Sequence, residues 1–119
     1  MKNFNLIALF FLISIPSLVK AQDVIIVNDI NINTTKDVHY ISIELKDAWR
    51  GRLKLLIDYG QAKSYYKKRI AEDKKGKTLK FNSKIHAFNV LGNNGWVYVD
   101  HNCSSDSTSQ TIEYLFKKI

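Results

Sequence analysis

Three patterns predict an α+β domain of two layers. Two alternating runs, VHYISIEL and RLKLLIDYG, flank a short glycine-bearing segment, as the strands of an antiparallel hairpin do. A capped apolar stripe follows from Ser83, and two more strand-like runs, Trp96–His101 and Thr111–Lys118, close the chain. A helix of about ten residues does not bury its stripe alone, so it needs a sheet to receive it. The expected architecture is an antiparallel sheet of about four to six strands with one helix packed on it, in the order ββ-β-α-ββ.

The chain starts with an export signature. Lys2 precedes LIALFFLISI, Leu6–Ile15, which is apolar and uncharged, and Pro16 ends the run. Val19 and Ala21 suit the small pockets of signal peptidase, so residues 1–21 read as a signal peptide cleaved after Ala21. A membrane anchor needs about 20 apolar residues, and this run is too short. Gln22 stands where a lipoprotein has cysteine. The mature protein, residues 22–119, is then a single small exported α+β domain, periplasmic or extracellular, with no stable membrane anchor. Losing Lys2 and Lys20 takes the net charge from +7 to +5. Lysine outnumbers arginine 15 to 3, a usage that suits an AT-rich bacterial genome. Part of the basic charge then reflects codon bias rather than ligand chemistry.

DVIIVNDININ, Asp23–Asn33, mixes β-branched residues with Asn and Asp and reads as an edge strand or a loosely attached arm. In VHYISIEL, His39, Ile41, Ile43 and Leu45 share one strand face, and Tyr40, Ser42 and Glu44 point to water. KDAWRGR turns the chain at Gly51. Leu53, Leu55, Ile57 and Tyr59 then line the apolar face of the second strand, with Lys54 and Asp58 outward. EDKKGK holds an Asp-x-x-Gly turn, which predicts a second hairpin, Arg69–Glu72 against Lys77–Phe81. A short helical turn at Ala62–Lys67 is the alternative for the stretch before it.

Ser83 is the expected helix N-cap. Ile85, Phe88 and Leu91 form the expected apolar stripe, and Gly95 or Asn94 stops the helix in a left-handed conformation. Trp96–His101 carries large apolar groups on both faces, which predicts a central strand or one covered by a partner. Ile112, Tyr114 and Phe116 face the core from Thr111–Lys118, which pairs antiparallel with Trp96–His101 across the loop Asn102–Gln110.

The succession DYG-Q (Asp58–Gln61), DKKGK (Asp73–Lys77), FNS (Phe81–Ser83), AFNVLGNNGW (Ala87–Trp96) and YLFKK (Tyr114–Lys118) resembles a family of small exported bacterial proteins of unknown function. That family has a strand ending in Gly-Gln, an Asp-x-x-Gly-Lys turn, Phe-x-Ser, an Ala-x-Asn helix and a Gly-Trp strand. The resemblance spans about residues 53–118. His86 replaces a usual aspartate and Val97 a usual glutamate. It implies fold and export, and no activity.

No catalytic, metal or cofactor constellation emerges. His39, His86 and His101 lack metal-ligand spacing, and His101-Asn102-Cys103 supplies too few ligands. Cys103 is the lone cysteine, so no internal disulfide forms; it pairs between chains or stays a free thiol. Ser104, Ser105, Ser107 and Ser109 lack a nucleophile turn. A small hydrolase using His101 with Cys103 or one of these serines is one alternative function. An inhibitor or immunity-type partner of an exported enzyme is another.

Two features suit binding. Trp49 lies at a hairpin tip beside Arg50 and Arg52, residue types favoured at hot spots; the competing structural role folds the indole over the sheet edge. From Lys63 to Lys84 eight lysines and Arg69 face only Glu72 and Asp73. Tyr65 and Tyr66 lie beside Lys67, Lys68 and Arg69, as in a footprint for an anionic polymer. The competing reading is a solvated basic hairpin. The expected function is a non-enzymatic interaction module of the bacterial envelope. Its expected partner is an envelope protein or an anionic polymer rather than nucleic acid.

Overall fold

A computed structural model of the chain describes residues 24–62 and 69–119. Residues 1–21, expected from the sequence to be a signal peptide, lie outside them, as does all but Ala62 of the helical alternative at Ala62–Lys67. The element order is β1 (Ile26–Val27), β2 (Ile30–Asn31), β3 (Tyr40–Asp47), a 3-10 turn (Trp49–Gly51), β4 (Leu53–Asp58), α1 (Lys84–Asn93), β5 (Trp96–Ser105) and β6 (Gln110–Lys118). Four strands form an antiparallel sheet in the order β4-β3-β6-β5, and β1 and β2 form a separate two-stranded ribbon. This is the expected α+β fold.

The alternation in sequence sets the sheet register. Ile43 stands opposite Ile57, and Leu45 opposite Leu55. On the other side of β3, Ile41 faces Phe116 and Ile43 faces Tyr114. The apolar halves of β3, β4 and β6 therefore fall on one face, and α1 covers it. Ile41, Ile43, Leu55, Ile57, Ala87, Leu91, Trp96 and Phe116 belong to a single buried core. Burying each large side chain contributes about 1.5–3 kcal/mol.

The N-terminal segment is not a loose arm. Asn28 and Asp29 adopt φ of 50° and 66°, so a tight two-residue turn joins β1 to β2. Asn and Asp tolerate that left-handed turn. Ile25, Val27 and Ile32 are fully buried in the core. The ribbon is anchored through Ile26, whose N–H and C=O both bond Glu72, at 2.9 and 2.8 Å.

The second hairpin forms as isolated bridges. Glu72 bridges Thr78, and Leu79 N–H donates to Ala71 C=O at 2.9 Å. Asp73 Oδ1 accepts from the N–H groups of Lys75 and Lys77 at 2.8 and 3.0 Å, and Gly76 takes φ 82°. These bonds hold the Asp73 carboxyl below its usual range; that of Lys77 is the largest cause. Bridges Leu56–Ile70 and Leu53–Phe81 then cover the free edge of β4.

Ser83 caps α1, its Oγ accepting from His86 N–H at 3.0 Å. Gly95, at φ 90°, makes the left-handed stop, while Asn94 stays at −103°. The stripe is corrected: Ala87 and Leu91 are buried, and Ile85 is 60% exposed. Ile85 sits two residues before Ala87, on the far side of the helix. His39 is also exposed, because β3 and its alternation begin only at Tyr40 and the neighbouring Val38 takes the buried place. Glu44, expected in water, is buried.

Strand β5 is an edge strand, not a central one. Trp96 is buried, but Val97, Tyr98 and Val99 are all exposed. A register shift between Tyr98 and Asp100 leaves Val99 as a bulge. Bulges are common on edges, where they discourage further pairing. The β5–β6 pairing itself runs to Ser105–Gln110, farther than the sequence predicts.

Candidate functional site

The β3–β4 connection brings three of the expected binding residues together. The last strand pair is Asp47–Leu53, and Ala48 N–H donates to Arg52 C=O at 2.7 Å. The chain must reverse within that loop. It does so through Arg50, at φ 59° and ψ 45°, followed by Gly51 at φ 73°. Glycine takes such angles freely; an arginine there is strained by about 1 kcal/mol.

Trp49 is thereby thrust outward. It is 70% exposed, so it does not fold over the sheet edge. The Arg50 guanidinium lies 4.7 Å from the indole centroid. This cation–π contact fixes the relative placement of ring and charge. Trp49, Arg50 and Arg52 line a hollow of about 330 Å³ together with Lys80, which in the sequence is one of the general basic run. Lys80 arrives because the next residue, Phe81, exchanges two backbone bonds with Leu53, at 2.8 and 2.7 Å. Among the described residues no carboxylate lines the hollow.

Arg69 lies elsewhere. Its guanidinium is 3.9 Å from the Glu44 carboxylate, and Lys46 is 3.7 Å from the same group. Arg69 is therefore committed to a buried acid on the sheet face away from α1. Tyr65, Tyr66, Lys67 and Lys68 lie outside the described residues.

On that same face Glu113 is half-buried. Burial, and then Glu44 beside it, raise the Glu113 carboxyl above its usual range; Asp58 adds to the rise and Arg69 opposes it.

His101 and Cys103 are held by different partners. Tyr98 Oη and His101 Nδ1 are 2.6 Å apart, whereas Cys103 Sγ accepts from Gln110 Nε2 at 3.0 Å. The first bond ties the imidazole to Tyr98 of the same strand; the second ties the thiol to the hairpin end. Ser109 Oγ donates to Asp106 at 3.3 Å. His86 Nδ1 accepts from Asn82 N–H at 3.0 Å and closes the start of α1. Among the described residues no three His, Cys, Asp or Glu side chains converge on one point, and no helix is long and apolar enough to cross a membrane.

No protein-family model matches the chain, and no curated protein matches it in sequence.

Proposed function

We propose that this protein is an exported, non-enzymatic binding module of the bacterial envelope whose β3–β4 tip holds an anionic polysaccharide. The observation that carries this reading is the Trp49–Arg50 pair: an indole 70% exposed, with a guanidinium 4.7 Å from its centroid, on a strained turn. Large apolar rings left in water mark contact surfaces when charged groups rim them. Arg50, Arg52 and Lys80 supply donors for sulfate, phosphate or carboxylate, and the arginines do so in bidentate geometry. The indole supplies a flat face for a sugar ring. Backbone strain at an exposed tip points the same way, since strained residues concentrate at ligand clamps.

Chromatography on immobilised heparin tests this. The native protein is retained at an ionic strength of about 0.05 M and released by salt, as screening requires. Trp49→Ala and the double variant Arg50→Ala/Arg52→Ala elute earlier. Passage of the native protein through the column at low salt contradicts the proposal. Tighter retention on single-stranded DNA than on heparin reassigns the tip to nucleic acid.

A further inference from the structure

A second concavity lies where the first turns of α1 overhang β5 and β6. Phe88, Tyr98, His101 and Tyr114 line it, with Lys84 and Ile85 at the rim, and it encloses about 530 Å³. That volume is in the range of small-ligand sites, roughly 300–1,000 Å³. It arises because β5 and β6 run on past the helix. Trp96 and Phe116 are buried beneath α1, whereas Tyr98 is 43% exposed and the strand beyond it is bare.

The aromatic rings here are ordered. Phe88 and Tyr98 lie 23° from parallel with centroids 6.2 Å apart, and Tyr98 and His101 lie 26° from parallel at 6.3 Å. Tyr114 sets its edge against Phe88 at 5.1 Å. The Tyr98–His101 hydrogen bond fixes both exposed rings. Holding rings in one geometry before binding lowers the entropic cost of a complex. The charge pattern is one-sided: Lys84 places its ammonium 5.7 Å from the Tyr114 centroid, and among the described residues no carboxylate lines the cleft. That chemistry suits a ring-bearing anion.

One short segment links the two concavities. Lys80 lines the first and Lys84 the second. Only Phe81, Asn82 and Ser83 separate them, so their Cα atoms are at most about 14 Å apart. A chain of a few sugar units crosses that gap.

Resting on the reading of the Trp49 tip given above, we propose that this cleft is a second subsite for the same anionic polysaccharide. In it Tyr98 and His101 pack against a sugar ring and Lys84 meets the sugar's charge. The polymer then runs from the Trp49–Arg50 tip, past Lys80, to the aromatic ledge.

Calorimetric titration with size-defined heparin oligosaccharides, from disaccharide to dodecasaccharide, tests this. Trp49→Ala is expected to weaken every length. Tyr98→Ala and Lys84→Glu are expected to weaken the dodecasaccharide about tenfold and leave the disaccharide unchanged. Lys84 is an exposed first-turn residue where an acid suits the helix dipole, so its variant keeps the fold if the Tyr98 variant does not. Dodecasaccharide affinity within twofold of native in both cleft variants, with Trp49→Ala still weakening binding, removes the subsite and leaves the tip reading intact. Loss in the cleft variants with none in Trp49→Ala overturns the tip reading, and with it the continuous path.

Discussion

Trp96 Nε1 donates to Asn33 Oδ1 at 2.8 Å, a buried bond between residues 63 positions apart. It ties the N-terminal ribbon to the start of β5. Lys118 reinforces it, its ammonium 5.1 Å from the Trp96 ring centroid and donating to Ile32 C=O at 3.0 Å. Replacing Asn33 by Ala strands the buried indole N–H. Chemical unfolding should show a loss of about 1–3 kcal/mol. A change below the error of the measurement would show that the indole finds another acceptor.

Helix α1 separates two apolar residues that the sequence groups together. Leu91→Ala empties a fully buried position and should cost about 2–5 kcal/mol. Ile85→Ala removes an exposed side chain and should stay within about 0.5 kcal/mol of native. Ser83→Ala, which removes the cap, should fall between them at about 1 kcal/mol. Thermal melts of the three variants check the order.

Arg50 links stability to binding in opposite senses. Its left-handed backbone, φ 59°, disfavours any side chain by about 1 kcal/mol, and glycine returns roughly half of that through its looser unfolded chain. Arg50→Gly should therefore raise stability by a few tenths of a kcal/mol and weaken heparin retention. Paired unfolding and column measurements on one preparation check both signs.

Glu113 gives the sheet a pH dependence. Its raised carboxyl, caused first by burial and then by Glu44, means that ionisation opposes folding. The penalty is full above the folded value, declines as pH falls through it, and is gone below the ordinary carboxylate range. Glu113→Gln should therefore be more stable than native at pH 7 by roughly 0.2–1 kcal/mol. The two should converge in acid. Urea midpoints across that range check the sign; a variant less stable at pH 7 contradicts it.

Most of the fold was legible because single strands declare themselves by period. The inward Ile41 and Ile43 of VHYISIEL, the inward Leu55 and Ile57 of RLKLLIDYG, the Ser83 cap, the Asp73–Gly76 turn and the Gly95 stop rest on local chemistry. They appear where the pattern puts them. The errors concern neighbours, which the pattern does not contain. Val97 and Val99 look interior until the strand order leaves β5 at an edge. Glu44 looks solvated until Arg69 and Lys46 reach it from the same side. The turn in VNDI is hard to read in the sequence because Asn-Asp is a weaker left-handed signal than Asn-Gly. In the candidate site, Trp49, Arg50 and Arg52 were legible as a hairpin tip. Lys80 and the Tyr98–His101 ledge were not, since both depend on pairing between distant segments.

The tip itself provides the most direct test. The chain has two tryptophans, of which Trp96 is buried and Trp49 exposed, so a ligand-induced change in indole emission reports on Trp49. Titrating heparin dodecasaccharide should shift or quench that emission saturably, with the response weakened by salt and lost in Trp49→Phe. An oligosaccharide that binds by calorimetry and leaves the emission unchanged would show that the Trp49–Arg50 tip is not where the polymer sits.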